Sequence, residues 1–304
     1  MQKLTLLLPP ASSHKIPLVL QICRKEKKKN LTCCARKSSD CLKLQKGQKM
    51  WNDLITTYVK QGKAQHALSI YQEMQENTET HPNEYAFVSL LKACRIMKDM
   101  GKGHEIHGHI VKVGLMRKNV FICSALIDMY AKCGHMVKAQ EIFNQIEIRN
   151  VVSWTSLISG YVENGCIDTA MDCFERMQGE GIQPDAFTLV CILKACAMVG
   201  DLDKGQEIHI EIARQGLLER NLYIGSILID MYIKCNSLSK AREVFDNLSI
   251  RNVVSWNAII AGYAECGDAA RALDLLKRIG NEGLSGDALT LVCCVKACGA
   301  AGFI

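Results

Sequence analysis

The stretch Leu126–Cys133 reads LIDMYAKC, and 102 residues later Leu228–Cys235 reads LIDMYIKC. The same offset joins the two copies of RNVVSW at Arg149–Trp154 and Arg251–Trp256. It also joins the KAC triplets at Lys92–Cys94, Lys194–Cys196 and Lys296–Cys298. Self-similarity at a fixed period specifies an array of equivalent units. Function in such an array belongs to a surface shared by many units, so a lone residue is a poor place to look for it.

The 102-residue period is composite. Units of 36, 31 and 35 residues alternate over 84–119, 120–150, 151–185, 186–221, 222–252 and 253–287. A first unit of 36 occupies 48–83, and an eighth over 288–304 is unfinished. Within 151–185, Trp154, Leu157, Ile158 and Tyr161 fall at i, i+3, i+4 and i+7, one face of a helix. Asn164-Gly165 ends it. Ala170, Cys173, Phe174 and Met177 make a second helical face, and Gly179, Gly181 and Pro184 close the unit. A helix pair of this size cannot bury its apolar stripe alone. Stacked neighbours bury it, so the expected fold is all-α. It is a right-handed α–α solenoid of helix-turn-helix repeats with a groove lined by the first helices.

The chain has 304 residues, 48% hydrophobic and 22% charged, enough for an extended core. Its net charge of +6 is unevenly placed. Residues 1–49 hold twelve Lys or Arg against Glu26 and Asp40, a net +10, which leaves −4 for the rest. Bulk charge therefore gives the array no general affinity for polyanions. The leader 1–47 has Ser, Thr and Lys, short apolar runs and almost no acid, the composition of an organellar transit peptide. No apolar run reaches the roughly 20 residues needed to span a bilayer, so no membrane association is expected. Sixteen cysteines include no CxxC pair, and many recur with the array: Cys94, Cys196 and Cys298; Cys133 and Cys235; Cys191 and Cys293. Small buried hydrophobes in a reducing compartment explain them better than a disulfide framework or a metal site.

Every complete unit ends in Asn or Asp: Asn83, Asn119, Asn150, Asp185, Asn221, Asn252 and Asp287. Each immediately precedes a helix, where a side-chain oxygen caps free N–H groups for about 1 kcal/mol. Capping alone also admits Ser and Thr, so the restriction to Asn and Asp leaves room for a second role. The second residue of each unit is Lys49, Tyr85, Phe121, Val152, Phe187, Tyr223, Val254 or Leu289, and seven of these eight are apolar or aromatic. On spacing alone they either pack the seam between repeats or present an apolar row to a ligand.

VVSWTSLISGYVENG, KACAMVGDLDKGQEIH and LIDMYAKCG are similar to the motifs of the plant pentatricopeptide repeat family. The resemblance covers Gln48 to Ile304. It is closest to the class that alternates P, L and S motifs of about 35, 36 and 31 residues, here without the C-terminal extension and deaminase domains of many members. Tetratricopeptide repeats share the apolar spacing but keep one 34-residue length. The resemblance implies binding of single-stranded organellar RNA, about one base per repeat. It assigns base readout to the fifth and last residues of each repeat, and a base sandwich to the second.

Carried onto this chain, the resemblance pairs Asn52 with Asn83, Ser124 with Asn150, and Thr155 with Asp185. It also pairs Ser226 with Asn252 and Asn257 with Asp287. In the L units it pairs Val88 with Asn119 and Val190 with Asn221, and Val292 opens the next pair. Ser, Thr, Asn and Asp offer donors and acceptors to a base edge; valine offers neither, so L units are expected to discriminate weakly. The implied sandwich residues are Tyr85, Phe121, Val152, Phe187, Tyr223 and Val254. The implied target is 5′-(C/U)-N-A-G-N-A-U-3′. The expected role is RNA modification, such as C-to-U editing, or another processing step in a chloroplast or mitochondrion, with editing or processing factors acting in trans.

Three clusters resemble catalytic or metal chemistry. His104, His107 and His109 share one stretch, but its copy GQEIHIEI retains only His209. His209-Ile210-Glu211 matches half of a zinc deaminase signature without the PCxxC half. Asp201 is expected to cap a second helix. No cofactor, metal site or catalytic residue is assigned, and an enzymatic role is not expected. The rival functional reading is a scaffold that binds an extended peptide in the groove, which the acidic array would tolerate.

Overall fold

The computed structural model describes residues 37–77, 81–116 and 119–284, together with residues 288, 290, 292, 295 and 299. Most of the leader expected to be a transit peptide lies outside them, as do Asp287 and Leu289. Two compact units divide between Gly47 and Gln48. Residues 37–47 of the first are helical. The second, Gln48–Ile304, carries the repeats, and among the described residues it contains helices and no strand.

Helix α1 (Lys37–Lys60) supplies the first helix of the first repeat from Gln48 on, and α2 (Ala64–Asn77) the second. The pairs continue as α3 (Glu84–Met97) with α4 (Met100–Val113), and α5 (Val120–Lys132) with α6 (Met136–Asn144). Next come α7 (Val151–Glu163) with α8 (Ile167–Gly179), and α9 (Ala186–Val199) with α10 (Leu202–Arg214). A four-residue α11 (Leu217–Arg220) precedes α12 (Leu222–Lys234) with α13 (Leu238–Asn247), and α14 (Val253–Glu265) pairs with α15 (Ala269–Asn281). First helices pack on first helices: α3 on α5, α5 on α7, α7 on α9, α9 on α12 and α12 on α14. From α4 on, each second helix packs on its own first helix, and several touch the first helix of the next repeat. This two-layer stacking is the all-α solenoid expected from the period.

The core lies between the layers and across the seams. Trp154, Leu157, Ile158, Ala170, Cys173, Phe174 and Met177 are buried, as their spacing predicts. Gly165 turns the chain between α7 and α8 at φ +76°, a region an L side chain rarely adopts. Gly160 allows close approach of consecutive first helices, since a Cβ there would sit 2.7 Å from the Cβ of Ala131. Asp201 caps α10 through the Lys204 N–H at 3.0 Å.

The repeat cysteines serve the core. Cys94, Cys196, Cys191 and Cys235 are buried. Burial, with Asp99 and Asp201 nearby, pushes the Cys94 and Cys196 thiols up to about 12, so they remain protonated and poorly nucleophilic. Cys293 and Cys298 lie outside the described residues.

Trp154 packs edge-on to Phe143 across the seam between the third and fourth repeats, with ring centroids 4.6 Å apart. Replacing it removes contacts on both sides of that seam. Trp154→Ala is expected to destabilise the array by about 3–5 kcal/mol in urea unfolding. The exposed Val137→Ala should stay within about 0.5 kcal/mol of the parent.

Candidate functional site

The N-terminal ends of the first helices carry the predicted readout residues. At all six described junctions the terminal Asn or Asp is the helix N-cap. Asn83 Oδ1 accepts from the Ala86 N–H at 2.8 Å, and Asn119 Oδ1 from Phe121 and Ile122 at 3.0 and 3.2 Å. Asn150 accepts from Ser153 at 3.0 Å, Asp185 from Thr188 at 2.8 Å, Asn221 from Tyr223 at 3.0 Å and Asn252 from Ser255 at 2.8 Å. Asn150 also belongs to a capping box, its own N–H donating to Ser153 Oγ at 3.1 Å.

Capping uses one end of each side chain. The amide oxygen is committed to the helix, which turns the Asn Nδ2 away from it. Asn83, Asp185 and Asn221 are exposed. Asn119 differs, because its Nδ2 donates to Glu84 Oε2 at 2.6 Å. Asn252 Nδ2 donates to the Leu222 carbonyl at 3.3 Å. Glu84 opens the same unit that Asn119 closes; the equivalent residue one 102-residue period later is Ala186, which has no such group.

The fifth-position polar residues lie just behind the junctions. Asn52, Ser124, Thr155, Ser226 and Asn257 are each 6% exposed or less. Asn52 Oδ1 accepts from the Asn83 N–H at 3.2 Å, and Ser226 Oγ lies 3.4 Å from Asn252 Oδ1. Thr155 reaches Asp185 through Thr188: the two threonine hydroxyls are 2.6 Å apart, and Thr188 O–H donates to Asp185 Oδ1 at 2.7 Å. The structure thus joins three of the expected pairs, one of them through an intermediary that the sequence reading omitted. Ser124 instead donates to the Val120 carbonyl at 2.9 Å, within its own helix. Asn257 accepts from Thr290 Oγ1 at 2.6 Å, and its expected partner Asp287 lies outside the described residues. Among the valines at fifth positions, Val190 is buried, Val88 half-buried and Val292 exposed.

Second-position residues lie one turn-step into each first helix and face solvent. Tyr85, Phe121, Val152, Phe187, Tyr223 and Val254 are all 41–78% exposed. They do not fill the seam, the reading that spacing alone left open. Since the first helices stack consecutively, these six residues recur once per repeat along one layer. Lys49 holds the equivalent place in the first repeat and is exposed.

His104, His107, His109 and His209, outside this layer, have structural partners. His104 and His107 each place Nδ1 2.8 Å from the Tyr130 hydroxyl, and His209 sits equally close to Tyr232. His109 lies 2.9 Å from the Tyr71 hydroxyl and 2.7 Å from His81. Burial holds the His107 and His209 imidazoles below their usual range, which favours their neutral form.

Stacked helix pairs with an exposed apolar row at their first-helix ends define an α-solenoid repeat protein. Two family models match more than half of the chain. One described as "PPR repeat family" matches residues 46–95 and 149–198, and one described as "PPR repeat" matches 121–151, 226–253 and 254–284. A pentatricopeptide repeat-containing protein of Arabidopsis thaliana is 33% identical over 256 residues, 84% of this chain and 43% of its own length. A second Arabidopsis member, named as mitochondrial, is 32% identical over 256 residues, 84% of this chain and 37% of its own length. The fold is similar to the crystal structure of PPR10 in complex with an 18-nt psaJ RNA element, with a TM-score of 0.69 and 17% identity over 94% of this chain and 41% of that one. The chain belongs to the pentatricopeptide repeat family. It spans about two fifths of the length of these curated relatives.

The cap can be separated from whatever else Asn150 does. Asn150→Ala should cost about 1 kcal/mol in thermal or urea unfolding of the protein alone, whereas Asn150→Ser, which keeps an oxygen for the cap, should cost a few tenths.

Proposed function

We propose that this chain binds single-stranded RNA through the row of first-helix ends, one base per repeat, as a member of the class with alternating P, L and S motifs. The observation that carries the reading is the exposure of all six apolar or aromatic second-position residues among the described residues, beside capped junctions. An apolar or aromatic side chain kept in solvent once per repeat has no packing role of its own. Stacked on a base, an aromatic contributes about 1–3 kcal/mol.

The caps give the readout a chemical rule. With Oδ1 committed to the helix, a junction Asn offers Nδ2, a donor, and a junction Asp offers its second carboxylate oxygen, an acceptor. Adenine and cytosine carry an acceptor ring nitrogen on their pairing edge, whereas guanine and uracil carry a ring N–H. Asn junctions therefore suit A or C, and Asp junctions suit G or U. This agrees with the assignments implied by the family resemblance, Ser/Asn to A, Thr/Asp to G and Asn/Asp to U, and it favours C for Asn52/Asn83. The preferred target becomes 5′-C-N-A-G-N-A-U-3′. The unit 84–119 is the weakest reader, because Val88 cannot hydrogen-bond and Glu84 holds the Asn119 amide.

The site serves RNA modification or another processing step in an organelle, with the chemistry supplied by factors in trans. The basic leader composition and a mitochondrial relative support the organellar part of this reading.

Binding of a labelled CUAGUAU heptamer at fixed salt tests the function. Exchanging its A, G, A and final U should weaken binding about tenfold or more, and Thr155→Asn should relax the preference for G at the fourth base. Equal affinity for the exchanged oligomer, or capture of extended peptides in place of RNA, would overturn the reading.

A further inference from the structure

We propose that Thr188 is a positioning residue that commits the fourth repeat to guanine by fixing the hydrogen-bond polarity of Thr155 and Asp185. The inference rests on the RNA reading above and adds a third residue to it. Thr188 is the third residue of the following repeat and is fully buried. Both its N–H and its O–H donate to Asp185 Oδ1, at 2.8 and 2.7 Å. Its hydroxyl oxygen lies 2.6 Å from Thr155 Oγ1.

A hydroxyl has one proton. A carboxylate oxygen is the strongest acceptor within reach of Thr188, so the Thr188 proton goes to Asp185. The contact between the two threonines then requires Thr155 to donate. The other acceptor near Thr155 is the Val151 carbonyl at 2.7 Å, also inside the protein. In either arrangement the Thr155 proton points inward and a lone pair faces out. Asp185 presents its second oxygen. The site therefore offers two acceptors and no donor. Guanine is the base with two adjacent donors on its pairing edge, the ring N1–H and the exocyclic amine. Adenine and cytosine set a ring acceptor beside the amine, and uracil flanks its single N–H with carbonyls.

The arrangement recurs in part. Thr290, again the third residue of an L unit, donates to Asn257 Oδ1 at 2.6 Å and so orients the fifth-position amide of the preceding repeat. Threonine stands at the third position only after an Asp junction, at 185/188 and 287/290. After Asn junctions the residue is Ala86, Ile122, Ser153, Ile224 or Ser255. The two serines bond back to their own caps, Ser153 to the Asn150 carbonyl at 2.9 Å and Ser255 to the Asn252 carbonyl at 2.8 Å.

The experiment compares the parent chain, Thr188→Val and Thr188→Ser against CUAGUAU heptamers with each base at the fourth position, and with G in place of A at the third or sixth. Valine keeps the shape and the backbone cap but removes the hydroxyl; serine keeps the hydroxyl. The expected result is a G-over-A preference at the fourth base that falls about fivefold in Thr188→Val, the scale of one hydrogen bond. Preferences at the third and sixth bases should be unchanged, and Thr188→Ser should restore the fourth. An unaltered fourth-base preference in Thr188→Val, or an equal loss at all three bases, would overturn the role of Thr188. A parent chain with no fourth-base preference would instead overturn the underlying RNA reading.

Discussion

The rest of the structure depends on a hydrogen bond from a first-turn N–H to the side-chain oxygen of the Asn or Asp before each of the six first helices from α3 to α14. Each such bond contributes only about 1 kcal/mol. Its larger consequence is geometric. It sets where each first helix starts, and so where the second residue emerges into solvent. It also consumes one polar atom of the cap and leaves the other facing away from the helix. Ser or Thr would satisfy the helix equally well, but a capping hydroxyl has no second polar atom to present. The restriction to Asn and Asp follows once both ends of the side chain have work.

Much of the fold was legible because a repeat multiplies weak signals. The i, i+3, i+4, i+7 face of Trp154, Leu157, Ile158 and Tyr161 recurs at Trp256, Ile259, Ile260 and Tyr263, and the buried members of both sets sit in the same layer. The Asn and Asp junctions marked the helix starts because capping is local chemistry. The site was only half legible. Tyr85 or Phe121 could pack a seam or face a ligand, because periodicity gives the face of a helix but not what covers its end. The burial of Asn52, Ser124 and Thr155 was likewise hidden, since it is set by tertiary packing; Thr155, for one, lies against Thr188 of the next repeat. Thr188 was readable in retrospect: a threonine three residues after each Asp junction, and after no Asn junction, is a covariation within the chain itself. The Glu84–Asn119 bond had no comparable signal, as it joins the two ends of one unit across 35 residues.

The repeats are not energetically uniform. Aromatic second positions, Tyr85, Phe121, Phe187 and Tyr223, fall in the 36- and 31-residue units between 84 and 252, whereas the two 35-residue units carry Val152 and Val254. The two 35-residue units, in turn, end in Asp185 and Asp287, the acidic junctions. Under the proposed RNA reading, stacking strength and base selectivity are divided between repeats: the units with an aromatic second position and a valine at the fifth hold bases with little selection, and the two 35-residue units select with less stacking. On the same reading, because the array beyond residue 49 carries a net −4, RNA affinity draws on stacking and on local contacts more than on bulk charge. Such binding falls less steeply with salt than that of a basic protein.

The central claim is that the second-position row holds bases. Ultraviolet crosslinking of the chain to bound heptamer, with the modified residues located by mass spectrometry, tests it directly. The account predicts crosslinks at Tyr85, Phe121, Phe187 and Tyr223. Crosslinks confined to the second helices α4, α6, α8, α10 and α13 would contradict it.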